Sequence, residues 1–101
     1  MKPISIKDFK GNFFKILAET PLSQIGVMTI TPGSDSGPEE VHNGDQIVYV
    51  IEGEAKVEID SEKFALDAGA IITVPAKIRH HIYNSGKSDL FFLTIYTPPA
   101  Y

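Results

Sequence analysis

Two separated segments of the chain carry side chains that could bind one metal ion. They are Glu40, His42 and Gln46 in the first segment and His80 in the second. Residues 40 and 42 are two positions apart, so on an extended strand a carboxylate and an imidazole point to the same side and can chelate an ion. Together with a second imidazole and an amide oxygen, they suit iron(II), manganese, nickel, cobalt or zinc. The residue types therefore indicate one divalent metal site, if the two segments meet.

Each of these residues also has a purely structural interpretation. Glu40 is one of two adjacent loop glutamates, and such pairs are commonly solvated surface. His42 precedes an Asn-Gly turn and could be exposed there. Gln46 could hydrogen-bond the backbone inside a barrel instead of binding metal. His81 directly follows His80 and must face the other way on a regular strand, so it is left out of the site.

The elements that must position these residues are short β-strands. Six segments are rich in β-branched and aromatic residues and are predicted as strands, namely 24–31, 46–52, 55–59, 70–74, 79–83 and 90–96. Turn signals rich in glycine, proline, asparagine and aspartate separate them, which is typical of a sandwich or barrel. One short helix is predicted from residue 5 to residue 9, with Ser5 as its N-cap.

The composition predicts one compact domain over residues 1–101. The chain has 43% hydrophobic and 22% charged residues and no cysteine, so disulfides and thiolate metal sites are excluded. A net charge of -4 argues against binding to nucleic acid or to an anionic membrane surface. The sequence has no signal-peptide pattern and no apolar run long enough to span a membrane, so we expect a cytoplasmic protein.

Both faces of the strand predicted at 46–52 are largely apolar over residues 46–51. Gln46 and the even-numbered residues point to one face, and Tyr49 and the other odd-numbered residues point to the opposite face. One face fills a barrel, so the second needs a cover, either the N-terminal segment or another subunit. We therefore expect a homodimer packed through one sheet, and we interpret Tyr49 and Tyr96 as packing residues.

The second segment resembles a motif of the cupin family, which consists of small double-stranded β-helix or jelly-roll proteins. The family motif is glycine, five residues, proline, four residues, histidine, three residues and asparagine. Its positions are matched here by Gly69, Pro75, His80 and Asn84. The resemblance extends over roughly residues 33 to 96.

The first segment is similar to the other cupin motif, with substitutions. That motif is histidine, one residue, histidine, three or four residues, glutamate, six residues and glycine, and its positions hold Glu40, His42, Gln46 and Gly53. A glutamate thus replaces the first histidine and a glutamine replaces the glutamate. In addition, Lys77 stands where a glycine usually follows the proline of the second motif, and Gly33 lies one residue too far upstream. Both replaced ligand positions keep an oxygen donor.

The resemblance implies an all-β double-stranded β-helix, or jelly-roll barrel, with a short N-terminal helical or extended segment. It also implies one divalent metal ion held by Glu40, His42, Gln46 and His80. Cupins include dioxygenases, isomerases and lyases, so the first expectation is a metal-dependent enzyme acting on a small organic acid or carbonyl compound. The alternatives are a barrel that binds or senses a small molecule without turnover, with or without metal, and a scaffold whose site has decayed.

Overall fold

The computed structural model describes residues 2–101, and almost all of their regular structure is β. A single 3-10 turn spans Ile6–Phe9, and eight strands follow: β1 (Phe14–Thr20), β2 (Ser23–Ile30), β3 (Asp45–Glu52), β4 (Glu54–Ile59), β5 (Glu62–Asp67), β6 (Ile71–Val74), β7 (His80–Asn84) and β8 (Leu90–Thr97). The large sheet has the order β1-β2-β8-β3-β6, and the small sheet has the order β5-β4-β7. All pairings are antiparallel. The predicted all-β double-stranded β-helix is therefore confirmed.

The hydrophobic core lies between the two sheets. Its fully or nearly fully buried side chains are Ile30, Val48, Val50, Leu90 and Phe92 from the large sheet and Ala55, Val57, Leu66 and Ile82 from the small sheet. Burial of these side chains fixes the two sheets against each other. Side chains that enter the interior from either sheet are therefore held at fixed separations.

Alternation along the strands decides which polar side chains enter that interior. In β3 the side chains of Gln46, Val48 and Val50 are buried, and the residues between them lie outward, as predicted. In β7 the same alternation buries His80 and Asn84 and turns His81 outward. Gln46 and His80 thus enter the barrel from opposite sheets.

The six predicted strands are confirmed to within one residue at each end, but β1 and β5 were not predicted. The register of β1 shifts between Ile16 and Ala18, and this bulge interrupts the period of two that identifies a strand. Strand β5 lies at the edge of the small sheet, and Leu66 is its only buried residue. Both strands therefore lack the alternating pattern of the others.

The short N-terminal helix is present as the 3-10 turn Ile6–Phe9, but the prediction that the Ser5 side chain caps it is wrong. Its hydroxyl makes no capping hydrogen bond, and the Ser5 carbonyl instead accepts a hydrogen bond of 3.2 Å from the backbone nitrogen of Asp8. Such an i to i+3 bond satisfies a single 3-10 turn without a side chain. Within residues 2–101, no helix has the length and apolar character needed to cross a membrane.

The outer face of the large sheet carries a continuous set of apolar side chains, called here the outer patch. Its members are Ile25, Ile47, Tyr49, Ile71, Leu93 and Ile95, which pair across β2, β8, β3 and β6. Ile4 and Ile6 line a groove with Ile25 and Leu93, so the N-terminal segment covers one end of the patch. At the other end, Tyr49 is 39% and Ile71 65% exposed.

Candidate metal centre

A backbone bridge joins the two segments that carry the donor residues. The backbone nitrogen of Glu40 donates to the carbonyl oxygen of His80, and the nitrogen of His80 donates to the carbonyl oxygen of Glu40, both at 3.0 Å. Directly opposed residues of an antiparallel pair project to the same face. The backbone nitrogen of Lys77 also donates a hydrogen bond of 2.7 Å to the carbonyl oxygen of His42. These bonds hold the loop before β3 against β7 and the residues that precede it, which brings the donors together.

Three of the four predicted site residues form one cluster of potential ligands. One ligand atom from each of Glu40, His42 and His80 lies within 4.8 Å of the others. The Oε2 of Glu40 is 3.2 Å from the Nε2 of His42, and the two imidazole centroids are 5.0 Å apart. Atoms bound to one ion at about 2.0 to 2.2 Å lie roughly 3 to 4 Å from each other. The cluster is therefore close to the spacing that a single ion requires.

The environment of His80 favours a neutral imidazole that presents one nitrogen to the cluster. The side chain is 5% exposed, and its Nδ1 lies 3.3 Å from the carbonyl oxygen of Ile78. Burial, reinforced by the neighbouring His42, lowers the pKa of His80 below its ordinary value. The tautomer protonated at Nδ1 donates to Ile78 and leaves the Nε2 lone pair available. Orientation of a histidine by a backbone carbonyl is common at metal sites.

Gln46 lies beside the cluster, with the two ends of its amide in different situations. It is 4% exposed and lines the same cavity as Glu40 and His80. Its Nε2 donates to the hydroxyl of Thr94 at 3.0 Å and lies 3.5 Å from the hydroxyl of Tyr96. Its Oε1 is the one buried side-chain polar atom within residues 2–101 that lacks a hydrogen-bond partner. The amide nitrogen therefore holds the side chain in place through its hydrogen bonds to β8, and the amide oxygen is available to a ligand or an ion.

Two tyrosines belong to this site, although the sequence pattern assigned only packing to Tyr96 and nothing to Tyr101. The Tyr101 hydroxyl donates a hydrogen bond to Oε2 of Glu40, and the two tyrosine rings lie 5.1 Å apart. Burial raises the pKa of both phenols, and the bond to Glu40 raises that of Tyr101 further, so both remain neutral donors. Tyr96 could have been assigned to the site from its pairing with Gln46 across β3 and β8. Tyr101 lies beyond β8, where no alternating pattern predicts the direction of its side chain.

Glu40, Gln46 and His80 border a small cavity inside the barrel. Its volume is about 30 Å³, and its apolar walls include Met28, Ile82 and Phe92. This is enough room for a water molecule or an ion. Because apolar walls lower the local dielectric, electrostatic interactions in the cavity are stronger than at the surface.

Other residues of the two motifs serve the fold, as their sequence positions predicted. Asn84 donates two hydrogen bonds of 2.8 Å, to the carbonyl oxygens of Ile30 and Ser88, and so fixes the turn between β7 and β8. Gly53 and Gly69 have φ angles of 87° and 92°, in the region that favours glycine. None of these three residues contributes a donor to the cluster.

His81 lies outside the site, as alternation along β7 predicted. Its Nε2 is 3.2 Å from a carboxylate oxygen of Asp35, and its ring stacks on Tyr83 with a centroid distance of 5.7 Å. It therefore belongs to the outer surface of the small sheet.

Comparisons with known proteins agree with this architecture. A sequence model of the cupin domain matches residues 26–96, a range that contains both motif segments. The chain is also 25% identical over 89 residues to an uncharacterized protein of Streptomyces coelicolor, and this match covers 88% of the chain and 82% of that protein.

Solved structures are similar over most of the chain. A protein of Bacillus halodurans superposes with a TM-score of 0.91 at 26% identity, covering 99% of this chain and 83% of that one. A cupin superfamily protein of Desulfitobacterium hafniense superposes with a TM-score of 0.75 at 28% identity, covering 85% of this chain and 76% of that one. At 99% coverage, the superposition on the Bacillus halodurans protein includes essentially the whole barrel.

Proposed function

Because the chain belongs to the cupin family, we propose that Glu40, His42 and His80 bind one divalent metal ion and that the chain is an enzyme acting on a small organic acid or carbonyl compound. The observation that supports this most directly is the group of three donor atoms within 4.8 Å. Reactions of the dioxygenase, isomerase or lyase type suit such a site. Iron, manganese, nickel, cobalt and zinc are the candidate ions.

Two features of the donor set fit a divalent cation. The lowered pKa of His80 keeps its imidazole neutral, which is the form that binds metal. The unpartnered Oε1 of Gln46 would gain a cation as its partner, as a fourth and weaker ligand. Glu40 supplies the single negative charge of the set, so a divalent ion there keeps a net charge near +1. That charge favours an anionic or strongly polarised ligand oxygen.

The residues around the donors would have distinct tasks in this function. A bound ion would supply Lewis-acid polarisation of a carboxylate or carbonyl oxygen. Ile82 and Phe92 are 2% and 1% exposed and would exclude water from that oxygen. The Tyr96 hydroxyl, neutral because burial raises its pKa, would donate a hydrogen bond within the cavity.

A second candidate function is binding of a small molecule without turnover. Among the described residues that line the cavity, the carboxylates and imidazoles are all proposed metal ligands. A separate general base is therefore missing from that lining, which favours a binding role as the alternative. Product formation from a small acid in the presence of metal would favour the enzyme, whereas a ligand-induced thermal shift without turnover would favour the binder.

The metal site is tested by the metal content of the purified, untagged protein. We expect one equivalent by plasma mass spectrometry in the wild type, or after reconstitution, and its loss in His42→Ala and in His80→Ala. His81→Ala is a matched control, because it removes a neighbouring histidine whose side chain lies outside the cluster. Absence of metal from the reconstituted wild type, with a melting temperature that chelator does not change, would instead identify a barrel without a metal function.

We further propose that a second copy of the chain covers the outer patch. Its exposed end presents Tyr49 and Ile71 next to each other on paired strands. Contiguous exposed apolar surface of this kind commonly marks an interface, and a two-fold dimer would bring the same patch of each subunit together.

A further inference from the structure

The ring of Tyr101 lies in a cage of three aromatic side chains. Its centroid is 5.0 Å from that of Phe14, 5.1 Å from that of Tyr96 and 5.7 Å from that of His42. All three contacts are edge-to-face, with interplanar angles of 65° to 71°, an arrangement that aromatic rings favour. The hydroxyl donates a hydrogen bond to Glu40. The three rings and the Glu40 carboxylate together surround the phenol of Tyr101 with both aromatic and hydrogen-bonding contacts.

The main chain next to this ring is fixed by a different residue, the buried Gln24. Its Oε1 accepts hydrogen bonds from the backbone nitrogens of Ala100, at 3.1 Å, and Tyr101, at 3.0 Å. Its Nε2 donates to the carbonyl oxygen of Tyr101 at 2.6 Å. These three bonds do not involve the phenol. The segment can therefore stay attached to the barrel while the Tyr101 side chain leaves the cage.

The cavity beneath the ring is too small for an organic ligand. Its volume of about 30 Å³ accommodates a water molecule or an ion, so a larger ligand must displace part of the wall. Among the described residues that line the cavity, Tyr101 alone is exposed, at 55%, whereas Phe92 and Tyr96 are at most 4% exposed and belong to β8. Tyr101 is therefore the part of the wall that can be displaced at the lowest cost in packing.

We propose that this cage is a binding site for a phenolic ligand, which Tyr101 occupies until such a ligand displaces it. The ring of the ligand packs between Phe14, His42 and Tyr96, and its hydroxyl bonds to the carboxylate of Glu40. This inference rests on the proposed function, because it places the ligand hydroxyl beside a proposed metal ligand. It narrows the small organic compounds proposed above to those that carry a phenol.

The test uses 4-methylphenol, which contains the same atoms as a tyrosine side chain. Chelator-treated wild type and Tyr101→Ala are each titrated with it by isothermal calorimetry. We expect Tyr101→Ala to bind at least about tenfold more tightly, because the tethered phenol no longer competes for the cage. Toluene should bind that variant about tenfold more weakly than 4-methylphenol, because it cannot form the hydrogen bond to the charged carboxylate.

Two further variants assign the binding to the cage. Adding Glu40→Ala to Tyr101→Ala should make the affinities for 4-methylphenol and toluene equal. Tyr101→Phe keeps the ring but loses the hydroxyl, so its affinity for 4-methylphenol should lie between those of wild type and Tyr101→Ala. Its retained ring also provides a test should Tyr101→Ala prove unstable in a thermal melt.

Three results would overturn the inference: equal affinity of wild type and Tyr101→Ala for 4-methylphenol, no saturable binding to either Tyr101 variant, or equally tight binding of toluene. Because the titrations contain no metal, their outcome is separate from that of the metal analysis. Selective phenol binding by a chain that takes up no metal would sustain this inference and remove the proposed enzyme. One bound metal without phenol binding would overturn this inference and leave the proposed metal-dependent function standing.

Discussion

Gln46 and Tyr96 lie directly opposite each other on β3 and β8, and the Tyr96 hydroxyl is 3.5 Å from the amide nitrogen of Gln46. The nitrogen also donates to Thr94, whereas the amide oxygen has no hydrogen-bond partner among residues 2–101 and faces a cavity bordered by Glu40 and His80. An unpaired buried oxygen costs roughly 1 to 3 kcal/mol, a cost that an ion, a ligand or a water molecule in the cavity would offset. This arrangement makes Gln46 the most informative position at which to change the site.

Gln46→Glu should bind a divalent ion at least about tenfold more tightly than wild type, because a carboxylate is a stronger ligand than an amide. Without metal, the same variant should melt at a lower temperature. It buries a carboxylate near the partly exposed Glu40 and leaves the Thr94 hydroxyl without its amide donor. Competition titration with zinc and thermal melts with and without chelator measure the two effects.

Thr73→Glu is the control, because Thr73 is an exposed residue of β6 in the same sheet and adds the same charge outside the site. It should leave metal affinity unchanged. A gain in affinity in both variants would show that added negative charge, and not a ligand at position 46, is responsible.

Asn84→Ala should lower the free energy of unfolding by about 2 to 4 kcal/mol, because the buried carbonyl oxygen of Ile30 and the carbonyl oxygen of Ser88 each lose a donor. Urea unfolding measures the change, and Asn43→Ala, at an exposed position, is the control with an expected change below about 0.5 kcal/mol. A small loss at position 84 would mean that water replaces the amide, and that the motif asparagine does not stabilise the turn.

The sequence predicted the fold where burial imposes a simple period. Gln46 and Val48 in β3 and His80 and Asn84 in β7 alternate with outward residues, so their direction could be predicted. Edge strand β5 could not be predicted, because a strand that buries only one residue has little reason to alternate. A bulge concealed β1 in the same way.

The candidate site was predictable only as far as local spacing and motif positions allow. The pair Glu40 and His42 follows from an interval of two residues, but its meeting with His80 depends on a backbone bridge between distant segments. The place of Tyr101 in the site could not be predicted, because Gln24 of strand β2 fixes the backbone of Tyr101. Long-range hydrogen bonds of this kind leave no period in the sequence.

Tyr49→Glu should convert the proposed dimer to a monomer, because it places a charge at the exposed end of the outer patch, where the second copy would pack. Sedimentation velocity of wild type and variant at equal concentration measures this. Phe64→Glu is the matched control, because Phe64 is 38% exposed against 39% for Tyr49 and lies on the small sheet. Wild type that sediments as a monomer would remove the proposed interface.

The metal-free protein should lose stability as the pH falls below about 6.5, because burial lowers the folded-state pKa of His80 from 6.5. Between the lowered pKa and 6.5, the unfolded chain binds more protons at this residue than the folded chain. Stability therefore rises with pH across that window, is fully present above it, and is lost as the pH falls through the folded-state pKa.

Urea unfolding of chelator-treated protein from pH 7.5 to pH 5 measures this dependence, and the variant His80→Asn should show a smaller slope. His81→Asn serves as the control, because it removes a histidine from the outward face of the same strand. Identical slopes for wild type and His80→Asn would mean that the buried imidazole is not the group that titrates. Bound metal should steepen the dependence, because protons compete with the ion for both histidines of the cluster.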